Sequence, residues 1–253
     1  MKGAKKQGKA LIINIKNFIG KPKKGIKDST DDALELKHTL EELDIQVELK
    51  ENLKHEEFIK TVEDFAMKVD IQDASVCVLC FISHGNEEAI ESSDNIRIDI
   101  NKTIFNFFLN ISCPKLLLIQ AYRGHEDSLC SSVVSRSSTP FSLQASGLQN
   151  TAIAYFVIPH YVAKELMDGA PFIKIVSDVF REYSNNMDIA GMLVKVQQKI
   201  KTLEFYGNKV VCEVVNNQIK DIYFIQNPQS YQKKISTETN HQSKVLETNC
   251  KLL

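Results

Sequence analysis

Ser75-Val76-Cys77-Val78-Leu79-Cys80-Phe81-Ile82-Ser83-His84-Gly85 and Lys115-Leu116-Leu117-Leu118-Ile119-Gln120-Ala121-Tyr122-Arg123-Gly124 are the two stretches that decide the fold of this chain. Each is a continuous apolar run that ends in polar residues and a glycine. A strand with water on one face alternates apolar and polar residues, whereas a strand covered on both faces does not. Ser75 to Ile82 and Lys115 to Ala121 therefore read as central strands of a sheet with a layer packed on each side. Lys9 to Ile15 predicts a first strand. Ile45, Val47 and Leu49 alternate as a half-covered strand does, and Thr151 to Val157 is strand-like again. Lys209 to Val215 and Asp221 to Ile225 are expected to be the last strands.

Helical periodicity fills the gaps between these strands. Ser29, Thr30, Asp31 and Asp32 offer helix caps, and Ala33, Leu36, Leu40 and Leu43 follow at helical spacing. Phe58, Val62, Phe65, Ala66 and Val69 mark one face of a second helix. Asn101 to Leu109 reads as a short helix. Phe172, Val176, Val179, Phe180 and Tyr183 mark another. A last helix, capped near Asp188, carries Ile189, Met192, Leu193, Val196 and Ile200. Strands alternating with helices define an α/β layered sheet. From Gly124 to Asn150 the periodicity dissolves into a serine-rich stretch, and unstructured loops of that length are uncommon unless functional. It divides a larger N-terminal part from a smaller C-terminal one, and no internal repeat is present.

The composition narrows the class of function. The chain has 253 residues, 43% of them hydrophobic and 25% charged, as a soluble globular protein should. Its formal net charge is −1, so no global field draws it to nucleic acid or to an anionic membrane. The lysines at 5, 6 and 9, and those at 21, 23, 24 and 27, read as solvated charge. No apolar stretch reaches the roughly 20 residues of a membrane span. Without the apolar core of a signal peptide, cytoplasmic residence is expected, with the cysteines reduced. Cys77-x-x-Cys80 lies inside the apolar run, where cysteine behaves as a small hydrophobe. No second pair stands at zinc spacing, and neither a metal nor another cofactor is expected.

Both central strands end in chemistry-bearing residues: Ser83-His84-Gly85 on one, Gln120-Ala121-Tyr122-Arg123-Gly124 on the other. Ligands of open α/β sheets gather at the carboxyl ends of the strands, so both segments point to one site. His84 alone would be an ordinary strand-end histidine. Its pairing with the second segment makes the resemblance specific. The caspase signature is Gln-Ala-Cys-Arg-Gly with a catalytic histidine some tens of residues upstream. Four of its five residues stand at Gln120, Ala121, Arg123 and Gly124, and His84 precedes Tyr122 by 122 − 84 = 38 residues. The likeness runs from about Ala10 to Gln226 and includes Leu11-Ile12-Ile13-Asn14 and Ile222-Tyr223-Phe224.

That resemblance implies a three-layer α/β/α sandwich around a mainly parallel six-stranded sheet. It implies a short basic segment at residues 1–9, a large-subunit-like part at 10–124 and an intersubunit loop at 125–150. A small-subunit-like part at 151–226 and a disordered tail at 227–253 follow. It also implies a general base at His84 and oxyanion-binding amides at Gly85 and Tyr122. Tyr122, however, stands where the family has its nucleophilic cysteine. A cysteine protease needs a thiolate activated by a nearby histidine. A phenol with a pKa near 10 stays neutral at pH 7 and is expected to fill the cleft instead. Cys130, in the serine-rich loop, is the nearest downstream thiol and the alternative nucleophile.

The specificity pocket departs from the family pattern as well. Gln120 matches the family's pocket glutamine, but Lys27 and Lys164 stand near the places of its two arginines. Lysine is a point charge and lacks the planar fork that suits a carboxylate. Asp127, the lone aspartate of the intersubunit loop, lies very close to the Gln120–Gly124 motif, so a single uncleaved chain is expected. The family pairs through a C-terminal strand, here Val210, Val211, Cys212, Glu213, Val214 and Val215. The expected partner is an active caspase, or a second copy, with no nucleic acid and no stable membrane insertion. The leading reading is a non-catalytic regulator of active caspases in apoptosis or immune signalling. The alternatives are a residual cysteine-type endopeptidase or other hydrolase, and a decoy that binds peptides without cutting them. The terminal Cys250-Lys251-Leu252-Leu253 is a weak match to a prenylation box.

Overall fold

The computed structural model describes residues 7–21, 29–85, 89–122, 148–158, 171–202, 204–205, 208–209, 212–219 and 221–224. Its principal sheet has six strands: β1 (Gly8–Asn14), β2 (Ile45–Glu51), β3 (Cys77–His84), β6 (Lys115–Tyr122), β7 (Thr151–Ile158) and β10 (Cys212–Asn217). Their spatial order is β10-β7-β6-β3-β1-β2, all parallel except β10. Short ribbons pair β4 (Ala89–Glu91) with β5 (Arg97–Asp99), and β8 (Glu204–Phe205) with β9 (Asn208–Lys209). The helices are α1 (Ser29–Glu42), α2 (His55–Ala66), α3 (Phe105–Phe108), α4 (Pro171–Tyr183) and α5 (Ile189–Lys201).

The strand order explains the layers. The chain leaves β1 through α1 to reach β2 on one side, then returns through α2 to β3 on the other. Parallel crossovers are right-handed, so reversing direction puts α1 and α2 on opposite faces. Accordingly α1 packs on α4 and α4 on α5, while α2 packs on α3. Arg181 of α4 ties the first layer together, its Nη1 to Glu35 at 3.0 Å and its Nε to Glu42 at 3.2 Å, both on α1. Covered on both faces, β3 is buried at every residue, as its unbroken apolar run demands. Phe58 of α2 packs on Phe81 of β3, and Phe172 of α4 stacks on Phe156 of β7.

Several element ends differ from the sequence expectation. The segment read as one short helix is a π-helical turn, Ile100–Ile104, that continues into α3. Val69 lies beyond α2, in a 3-10 turn. The last sheet strand starts at Cys212, and Lys209 belongs instead to the β8–β9 ribbon. Pairing sets its other end, because Asn217 lies opposite Thr151, the first residue of β7. Asp221–Phe224 is not a strand. Asp221 has φ 53°, and Ile222 O accepts from Ile189 N at 2.8 Å, so this segment covers the start of α5. Phe224 then packs against Phe180 of α4. The serine-rich segment at 123–147 and the tail beyond residue 224 lie outside the described residues.

Candidate functional site

The carboxyl ends of β1, β3, β6 and β7 lie side by side, and β1 is where the winding direction reverses. Such a reversal opens the crevice in which α/β sheets hold their ligands. Here the register brings His84 opposite Tyr122, Ser83 opposite Ala121 and Ile82 opposite Gln120, each pair on adjacent strands. Neighbouring strands lie about 4.8 Å apart, so the two motifs form one site. Tyr122 in turn faces Ile158, at the end of β7.

His84 is 6% exposed and its ring lies 4.8 Å from that of Phe18, tilted by 59°. Phe18 follows β1 and was not singled out from sequence; its position just past a strand end at the switch point is the signal that could have found it. The strand end carrying His84 is clamped by the β4–β5 hairpin. Ser83 Oγ donates to Glu91 O at 2.5 Å, and Gly85 bridges Ile90. The hairpin turn is anchored in its turn: Ile19 N donates to Ser93 O at 2.7 Å, and Asn95 Nδ2 to Ile19 O at 3.0 Å. His55 N, at the start of α2, donates to Asp94 Oδ1 at 2.9 Å.

Gly85 has a steric reason for being glycine. A Cβ there would sit 2.3 Å from Ala89 O and 3.0 Å from Ile90 Cα, both backbone atoms that cannot turn aside. The glycine lets the hairpin fold back tightly against His84.

Gln120 is fully buried beneath this end of the sheet. Lys27 and Lys164, the other pocket candidates, lie outside the described residues, as do Arg123, Gly124, Asp127, Cys130 and Cys250. Among the C-terminal strand candidates, Cys212, Glu213, Val214 and Val215 belong to β10, whereas Val210 and Val211 are outside the described residues. β10 is the edge of the sheet, antiparallel to β7, with Glu213 exposed and Val214 and Val215 half-buried. Burial pushes the Cys212 thiol up to about 12, with Glu213 adding to the shift. Among the described residues no group of three His, Cys, Asp or Glu side chains could hold a metal ion, and no helix is long and apolar enough to cross a membrane.

A six-stranded, mainly parallel sheet flanked by helices, with a Ser-His-Gly strand end beside a Gln-Ala-x strand end, defines a caspase-like α/β protein. Residues 7–238 match the model of the caspase domain, and the chain belongs to that family. It is 29% identical over 237 residues to caspase-3 of Felis catus, covering 86% of this chain and 83% of the relative. It is 28% identical over 249 residues to caspase-6 of Gallus gallus, covering 87% and 81%. With caspase-2 of Gallus gallus it shares 24% over 247 residues, covering 86% of this chain and 58% of the relative.

Proposed function

We propose that this chain is a pseudoenzyme of the caspase family that acts in the cytoplasm by binding an active caspase rather than by cutting peptides. The observation that carries the reading is the register of His84 with Tyr122. A cysteine at that position would stand beside the general base; a tyrosine brings a neutral phenol whose oxygen lies several bonds further from the backbone. Backbone amides at Gly85 and Tyr122 would still stabilise an oxyanion, but such stabilisation without an attacking group gives little acyl transfer. Lys27 and Lys164 in place of arginines weaken the hold on a substrate aspartate, so two separate changes argue against catalysis.

The binding surface in this reading is β10. An edge strand offers a row of unpaired backbone groups to a partner strand. The β10 edge carries one exposed charge, Glu213, between Cys212 and Val214-Val215. Pairing with the equivalent strand of an active caspase would form the regulatory complex, in apoptosis or immune signalling. The large-subunit-like part (10–124) and the small-subunit-like part (151–226) would remain one chain, because Asp127, the single aspartate of the loop between them, lies very close to the Gln120–Gly124 motif.

The test is cleavage of aspartate-ended fluorogenic peptides by an active caspase of the same organism. It is run with and without this protein at micromolar concentration, and with this protein alone. The expected result is a severalfold change in turnover in the mixture, up or down, and none from this protein alone. No change in the mixture overturns the regulatory reading. Turnover by this protein alone that a His84→Ala control abolishes overturns the pseudoenzyme reading in favour of a residual hydrolase. Calorimetry with an aspartate-ended aldehyde peptide is expected to show no heat; tight binding without cleavage would make the chain a peptide decoy.

A further inference from the structure

The principal sheet has two edges, and they differ in charge. The β2 edge carries Glu48, Lys50 and Glu51; Lys68 pairs with Glu48, and Gln46 Oε1 accepts from Lys9 Nζ at 2.6 Å. Charges of both signs along an edge strand blunt it against pairing. β10 is the other edge, and Glu213 is its one charged residue. Glu213 is exposed, and no cation among the described residues pairs with it.

Alternation along β10 puts Cys212 and Val214 on one face of the sheet and Glu213 and Val215 on the other. α5 packs beside the strand, and Gln197 Nε2 donates to Cys212 O at 3.0 Å. Cys212 is accordingly buried, while its neighbour Glu213 stands in solvent. The far end of the strand is committed within the chain. Asn217 Nδ2 donates to Leu148 O at 2.6 Å, and Asn216 Oδ1 accepts from Ile219 N at 3.0 Å. Gln218, with φ 64°, then turns the backbone away. The stretch left to take another strand is centred on Glu213 and Val214.

Antiparallel pairing sets opposed residues on the same face, so a strand that pairs with its own copy does so about a residue. With the two-fold axis at Glu213, the two carboxylates lie directly opposite, with Cβ atoms about 5 Å apart. With the axis at Cys212 or Val214, they are diagonal neighbours about 7–8 Å apart. Like charges in these positions repel, and more strongly once pairing removes water from around them. An axis at Val215 would separate them, but it carries the pairing to Asn217, whose side chain is already bound and after which the chain turns. We propose, on the reading that β10 docks a partner strand, that Glu213 bars a second copy of this chain and selects a strand of another protein that places lysine or arginine opposite it. A cation there turns the repulsion into a cross-strand ion pair, so one carboxylate supplies both the attraction to the right partner and the penalty on the wrong one.

Sedimentation velocity at micromolar concentration tests this on full-length protein, on the Glu213→Lys variant and on their equimolar mixture. Each alone sets like charges against each other and should stay monomeric. The mixture should form a dimer at least about fivefold tighter than either, and added salt should weaken it. Glu213→Gln, which removes the charge without adding another, should self-associate severalfold more tightly than the unsubstituted protein. Unsubstituted protein that dimerises as tightly as the mixture would overturn the proposal in favour of a second copy. A mixture that stays monomeric would overturn it too, leaving Glu213 as a guard against edge pairing. A mixed dimer, together with no effect of the unsubstituted protein on an active caspase, would uphold the charge rule and sink only the function proposed above.

Discussion

Gly85 is the residue on which the geometry of the His84 site turns. Its backbone packs against Ala89 O so closely that a methyl group would collide at 2.3 Å. Gly85→Ala is expected to destabilise the protein by about 2 kcal/mol or more, because neither backbone segment can move without breaking the Gly85–Ile90 bridge. Chemical denaturation would show this as a lower midpoint at unchanged slope; an unchanged midpoint would mean that the hairpin shifts freely. Ser-His-Gly could be recognised in the sequence as a site motif, but the steric demand on the glycine could not. It arises from a strand that turns back from four residues further along. Phe18 was missed for a related reason: nothing local to it records that it will rest on His84.

At the scale of elements, most helices and strands were legible because each repeats its burial pattern along its own length. α5 is the clearest case. Asp188 Oδ1 accepts from Gly191 N at 2.8 Å, and Ile189, Met192, Leu193, Val196 and Ile200 are buried as their spacing requires. The same carboxylate also accepts from Asp221 N at 3.3 Å through Oδ2. Asp188→Ala should therefore cost about 1 kcal/mol from the lost cap. In a chain of this size that corresponds to a melting temperature lower by about 2–4 °C. A calorimetric scan that shows no shift would mean that water replaces both contacts. The start of α2 behaves differently. Its N–H at His55 is satisfied by Asp94, a residue 39 positions later in the hairpin turn, which no local capping pattern reveals. The end of the sheet is another such case. Apolar content suggested a strand over Lys209–Val215, but register with β7 carries it through Asn216 and Asn217.

Across the whole molecule, charge is nearly balanced, and acid stability rests on particular carboxylates. Hydrogen bonds from Ser92 Oγ, at 2.6 Å, and from His55 N hold the Asp94 carboxyl below its usual range. A hydrogen bond and ion pair with Lys9, at 2.5 Å, does the same for Asp70. A folded-state pKa below the unfolded one means that the unfolded chain binds more protons in the window between them. The stabilisation is thus complete above the ordinary carboxylate value near 3.8 and is lost as pH falls through the lowered values. Unfolding midpoints should fall below about pH 4, and Asp94→Asn should flatten that decline. An identical acid limb in the variant would remove Asp94 from the account. Asp70 is exposed, so salt should weaken its share of the effect.

The amino-acid sequence by itself determined the layered α/β class, the buried central strands, the faces of the long helices and the two strand-end motifs that carry the family likeness. Each of these is written in local periodicity or in a short contiguous motif. Tertiary structure alone decided that His84 and Tyr122 stand opposite each other, that Gly85 must lack a side chain, and that Asp94 caps α2. Those facts depend on strand order and register, which join residues far apart in the chain. Residues that meet only after folding leave no periodic trace of one another, so packing and hydrogen bonding between distant segments settle them.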